Sequence, residues 1–136
     1  MIEINNLTNF AVNKTFFIGV AKKVLKGENR LKDNISIAFV NPAEIHKLNK
    51  KFRKKDKPTD VLSFEKVSDF KDECSEVIIC PQVVRENAKD SKLSLKKELS
   101  KVLIHGILHN FGYDHEVSKA EEERMFQKQD YYLSKI

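Results

Sequence analysis

Three of the four histidines in this 136-residue chain fall within the segment His105-Gly106-Ile107-Leu108-His109-Asn110-Phe111-Gly112-Tyr113-Asp114-His115. His105 and His109 lie within an apolar run of helical periodicity, which places both imidazoles on one helix face, one turn or roughly 6 Å apart along the axis. Gly112 supplies the left-handed position that ends a helix and lets the chain reverse. That reversal would carry His115 back toward the first two rings. Three imidazoles with a fourth position left for water is how catalytic zinc is held, whereas structural zinc normally closes all four positions. A single histidine on an apolar helix is ordinarily just packed, but three at helix-then-turn spacing point to a metal ligand set. One zinc ion per chain is the expectation, although imidazole ligands also suit nickel, copper and iron. Cys74 and Cys80 are not in a Cys-x-x-Cys arrangement and are expected to be free thiols, Cys80 within an apolar strand.

The His-x3-His-x2-Gly-x2-His spacing equals that of the long metzincin protease motif, with one departure. Those proteases place a glutamate general base directly after the first histidine, and here that position is Gly106. The metal geometry transfers, while peptide hydrolysis lacks its proton acceptor.

A second feature is charge. Lys47, Lys50, Lys51, Arg53, Lys54, Lys55 and Lys57 stand against the single acid Asp56, so this short run exceeds the formal +5 of the whole chain, and the remaining 18 basic and 19 acidic residues nearly cancel. A compact basic patch favours a polyanion, because neutralised phosphates release their condensed counterions. The plainer reading is a lysine-rich solvated surface. Arg53 is the only arginine in the run, and its planar fork suits phosphate oxygens better than an ammonium does. Lys50, Lys51, Lys54, Lys55 and Lys57 would make diffuse phosphate contacts. Asp114 precedes a histidine and could form the turn, orient an imidazole or accept a proton, the turn being its ordinary use. Asp60 follows Pro58-Thr59 at a strand entry, where an Asx-type turn is ordinary and orienting Arg53 is a second option. Phe111 and Tyr113 are expected to pack rather than to stack on bases.

These groups need elements to carry them. Ile2 and Ile4 alternate with polar neighbours as a short edge strand, and Phe10 to Leu25 has helical spacing with Gly27 as its stop. Ile35 to Val40 is a strand. Asn41-Pro42-Ala43-Glu44 caps and opens a helix bearing Ile45, Leu48 and Phe52, with the basic run at its end and in the following loop. Val61 to Phe64 and Val77 to Cys80 are further strands joined by the polar segment Lys66 to Glu76. Pro81 opens a helix through Ala88. The histidine helix runs from Ser94 to about Phe111, and Ser118 with Glu121 caps a last helix bearing Met125, Phe126 and Leu133. About four strands and five helices imply one α+β domain over 1–136, a small mixed sheet layered with helices, with the metal site at the end of a central helix.

Composition is consistent with this. Hydrophobic residues at 40% and charged residues at 33% give a globular balance rather than a disordered one. No stretch approaches the about 20 apolar residues of a membrane span. Glu3, Asn5, Asn6 and Asn9 occupy the place of a signal-peptide core, so a cytoplasmic protein is expected.

The His105 to His115 segment and the run Leu48-Asn49-Lys50-Lys51-Phe52-Arg53-Lys54-Lys55-Asp56-Lys57-Pro58-Thr59-Asp60-Val61-Leu62-Ser63-Phe64, in this order, resemble the bacterial YbeY family of metal-dependent endoribonucleases and rRNA maturation factors. Glu121-Glu122-Glu123-Arg124-Met125-Phe126 is also similar to that family. Ser75-Glu76 departs from it, since Gly-Asp is common there. The resemblance implies a single-strand-specific endoribonuclease acting in 16S rRNA 3′-end maturation and ribosome quality control, with ribosomal small-subunit components as partners. It implies zinc on His105, His109 and His115, with Arg53 and His105 in catalytic roles. Whether water or the RNA 2′-hydroxyl attacks is left open. Two other classes are a zinc-stabilised ribosome assembly factor without catalysis and a metalloprotease-like hydrolase.

Overall fold

The computed structural model describes residues 1–66 and 74–136. Its elements run β1 (Ile2–Asn6), α1 (Lys14–Gly27), β2 (Ile35–Phe39), α2 (Pro42–Arg53), β3 (Val61–Phe64), β4 (Ser75–Ile79), α3 (Pro81–Asn87), α4 (Leu95–Asn110) and α5 (Lys119–Ser134). One sheet of order β1-β2-β4-β3 results. β1 and β2 are parallel, as are β2 and β4, while β3 runs antiparallel to β4. The expected mixed sheet and α+β layering are therefore observed.

Alternation along the strands separates two faces. Ile35, Ile37, Phe39, Val77 and Ile79 point into the larger core, against α1, α4 and α5. Ala38, Leu62, Phe64 and Ile78 face the smaller one under α2 with Ile45 and Leu48. Period-2 patterning on a twice-covered sheet requires apolar residues on both faces, which is what these strands carry.

Side chains set the helix starts. Asn13, Asn41, Ser94 and Ser118 each accept a hydrogen bond from the backbone N–H three residues on, satisfying donors that the helix leaves orphaned. The Asn13 cap corrects the expected start of the first helix, which begins at Lys14 rather than Phe10. Phe10 instead lies under the Arg85 guanidinium. Two further boundaries move. β4 starts at Ser75, whose N–H bonds to the Asn34 carbonyl, and Cys80 lies beyond the strand as the residue before α3. Both cysteines are free. Of the joining segment Lys66 to Glu76, positions 67–73 lie outside the described residues.

Phe52 is a correction of another kind. It does not join the buried face of α2 but is half exposed, meeting Phe64 edge-on at 5.4 Å.

Candidate metal centre and nucleic-acid cleft

α4 reaches the sheet through Gly106. A Cβ there would come within 2.8 Å of Val77 Cγ1 and 3.0 Å of Ser63 Oγ. The residue after the first histidine thus faces the packed strands, so the position has no room for the protease glutamate. Ser63 Oγ also donates to the Gly106 carbonyl at 3.1 Å, fixing the height of α4 over β3. Beside this contact His105 and His109 line a cleft together with Val61 and Ser63 of β3.

Their outer partners aim both rings. His105 Nδ1 lies 2.9 Å from Gln129 Oε1 on α5, and His109 Nδ1 lies 3.0 Å from the Tyr113 carbonyl. Since each acceptor is an oxygen, Nδ1 carries the proton and Nε2 keeps its lone pair for a cation, the usual arrangement of metal-bound histidine. Gly112, at φ +96°, turns the chain. His115 then returns to within 5.2 Å of His105, ring centre to ring centre.

Burial pushes the His105 pKa down, with smaller contributions from His115 and His109, while the Gln129 bond and Asp60 act the other way. The net effect keeps that ring neutral at neutral pH, the form a metal needs.

The third ring is less constrained. His115 Nδ1 is buried without a hydrogen-bond partner, and Nε2 lies 3.8 Å from Glu116 Oε1. Among the described residues, no three His, Cys, Asp or Glu side chains stand closed around a single point. Two aimed imidazoles beside a third with an orphaned nitrogen nevertheless form a donor set that fits a divalent transition ion.

A cleft of about 730 Å³ holds all three histidines together with Arg53, Lys55, Lys57 and Asp60. The end of α2 and the loop after it form one wall of this cleft, and α4 forms another. Lys54 takes the left-handed conformation at the helix end. Buried Asn49 then accepts the Lys55 N–H at its carbonyl and donates its Nδ2 to the Lys57 carbonyl at 2.8 Å. Arg53 donates Nη2 to the Ser63 carbonyl at 2.6 Å and lies over the Phe64 ring at 4.8 Å. Ser63 therefore touches both walls, Arg53 through its carbonyl and α4 through its hydroxyl.

The basic run divides. Lys55 and Lys57 line the cleft, whereas Lys50 lies 4.0 Å from Asp56 and Lys51 sits over the Phe52 ring. The fourth histidine, His46, pairs with Asp56 at 2.7 Å on α2. Asp114 accepts the Glu116 N–H at 2.8 Å, an Asx turn. Asp60 accepts from the Thr59 hydroxyl, and its carbonyl takes the Cys80 N–H.

The family model described as Endoribonuclease YbeY matches residues 3–136. The chain belongs to the YbeY endoribonuclease family. A YbeY of Thermotoga petrophila is 42% identical over 103 residues, 76% of this chain and 67% of that protein. One from a Sulfurihydrogenibium species is 36% identical over 128 residues, 92% of this chain and 84% of that protein. The solution structure of a Thermotoga maritima protein matches with a TM-score of 0.70 at 34% identity, covering 98% of this chain and 87% of that one. The fold is thus shared with a solved relative.

Asn49, Lys101, Phe126 and Gln129 are among the cleft residues that the sequence does not single out as site residues. Gln129 and Lys101 line the cleft, as does Phe126, which is 40% exposed with its ring 6.5 Å from His115. Phe126 directly follows buried Met125 on an otherwise polar stretch, and successive helix positions point about 100° apart, so a partial signal for its exposure was present. Asn49 also had one, as a short polar residue on the apolar side of α2. Gln129 and Lys101 had none. Tyr113 is buried, and Phe111 packs against the core, as expected of both.

Proposed function

We propose that this chain is a metal-dependent endoribonuclease that cuts single-stranded RNA, working in 16S rRNA 3′-end maturation and ribosome quality control beside small-subunit components. One observation carries the reading: Arg53 and three imidazoles line a single cleft, on walls joined through Ser63. His105, His109 and His115 would hold one zinc ion. When bound, that ion supplies Lewis-acid charge and makes water more acidic.

The chain's own groups do the rest. Arg53 commits one Nη2 hydrogen to the Ser63 carbonyl and rests flat on Phe64, leaving its other N–H donors for the oxygens of the scissile phosphate. Lys55 and Lys57 attract the flanking backbone. Asp60 takes the orienting or proton-accepting role, because it lines the cleft with the histidines and Arg53, while Asp114 forms the turn before His115.

The test is cleavage of single-stranded RNA by purified protein of measured metal content. His109→Ala should lose metal and cutting together, by more than the about 10–100-fold typical of outer-shell partners. Arg53→Glu should abolish cutting while metal remains. Full activity of metal-free His109→Ala would overturn the reading. Product ends choose the nucleophile, since a 2′,3′-cyclic phosphate marks attack by the 2′-hydroxyl.

A further inference from the structure

Glu28 sits just past the C-terminal end of α1, where the helix dipole disfavours a carboxylate. A residue held against its local preference points to a tertiary partner, and Glu28 has three. Tyr113 donates its hydroxyl to Oε1 at 2.7 Å, Tyr132 donates to Oε2, and Lys128 Nζ lies 3.3 Å from the same Oε2. These partners come from the turn after α4 and from α5, so one carboxylate ties three segments together.

Tyr113 matters most among them. Its N–H bonds to the Leu108 carbonyl, its own carbonyl accepts His109 Nδ1, and it lies between Gly112 and His115 in the reversing turn. Arg124 covers its ring at 5.1 Å. Among the described residues, Glu28 is the hydrogen-bond partner of the Tyr113 side chain. Beside the backbone bonds of the turn, from Gly112 N–H to the His109 carbonyl and from Tyr113 N–H to the Leu108 carbonyl, this side-chain anchor restrains the residue whose carbonyl aims His109.

We propose that Glu28 is a positioning residue for the metal site, anchoring Tyr113 and, through the Tyr113 carbonyl, fixing the tautomer and direction of the His109 imidazole. This rests on the reading of His105, His109 and His115 as metal ligands. Glu28→Gln removes the charged acceptor at nearly constant volume. Tyr113→Phe cuts the same link while leaving Glu28 bonded to Tyr132 and Lys128, so it keeps the test alive if Glu28→Gln folds poorly.

Two measurements on the whole chain decide the matter. The first is zinc affinity by competition with a chromophoric chelator. Both variants should lose about 10–100-fold, and the double variant should lose no more than either alone, as links in one chain do. Val20→Ala, a destabilising change on the buried face of α1, should leave affinity as it is. The second is the imidazole nitrogen NMR spectrum of metal-free protein, in which the wild type should show His109 with its proton on Nδ1 and both variants a tautomer mixture.

Unchanged affinity and an unchanged His109 tautomer in Tyr113→Phe, with only the melting temperature lowered, would reduce Glu28 to a structural staple and overturn the inference. A wild type that binds no zinc would overturn it together with the metal-site reading, whereas zinc bound equally by wild type and variants sinks the positioning role alone.

Discussion

The two walls of the cleft are built on opposite principles. On the α4 side, His105 and His109 are partly buried, each ring is tied through Nδ1 to a neighbour from another segment, and the helix is seated on the sheet at Gly106. On the α2 side, the cations are exposed, and among the described residues only Arg53 of them is fixed by both a hydrogen bond and a ring. The first wall is preorganised at two of its three imidazoles, which is what the proposed metal ligand set would require. The second is compliant, because attraction of a polyanion by several cations depends on charge density rather than on exact placement. Arg53 belongs to the second wall by sequence and to the first by restraint.

That contrast is open to attack, most strongly at Gly106. Gly106→Ala gains about 1 kcal/mol of helix propensity but drives a methyl into Val77 and Ser63, and overpacking of this kind costs about 1–3 kcal/mol. A net loss of stability in urea unfolding is expected, with weaker metal binding as α4 lifts. Lys51→Ala on the other wall should stay within about 0.5 kcal/mol. Equal effects at the two positions would erase the distinction.

Next in size is Arg53→Lys, which keeps the charge and removes the fork and the ring contact. RNA cleavage at subsaturating substrate should fall about tenfold, which corresponds to about 1.4 kcal/mol of transition-state stabilisation. A fall no greater than that of Lys55→Ala would return Arg53 to the compliant wall. For the lysines themselves the expected change lies in salt dependence. Neutralising Lys55 and Lys57 should flatten the logarithmic slope of RNA affinity against salt by about 0.7 for each phosphate that is no longer neutralised, with the turnover rate unchanged. Lys50 and Lys51, outside the cleft lining, should alter the slope less.

The smallest effect concerns pH. Burial pushes the Glu28 carboxyl up, but hydrogen bonds from Tyr132, Tyr113 and Lys128 outweigh it and leave the group below its ordinary value. With a folded pKa below the unfolded one, its stabilising contribution is complete above the unfolded value and fades as pH falls through the folded value. Glu28→Gln should therefore flatten the acid limb of stability between those two values and leave its shape above them unaltered, as read by urea unfolding at a series of pH values.

Much of the architecture was legible because it is written locally. Asn41, Ser94 and Ser118 cap their helices within three residues, and Gly112 shows its purpose by its position after the histidine helix. Misjudgements arose where a local pattern competed with a longer reach. Phe10 to Leu25 has helical spacing throughout, yet Asn13 starts the helix. Phe52 sits at an apolar spacing but lies in the charged last turn of α2, where the small core under that helix has run out.

The spacing of three histidines, the concentration of positive charge beside one arginine and the glycine after the first histidine are properties of the sequence alone. So is the family resemblance. What it could not decide is that these features meet. The partner of His105 is 24 residues away and that of the Tyr113 hydroxyl is 85 away, distances at which no periodicity carries information. The two walls are joined because β3 packs beneath α4, so that the carbonyl of Ser63 receives Arg53 while its hydroxyl, 43 residues from Gly106 in the chain, holds the histidine helix. Only packing of the sheet against the helix brings such a pair together, and the cleft exists because of it.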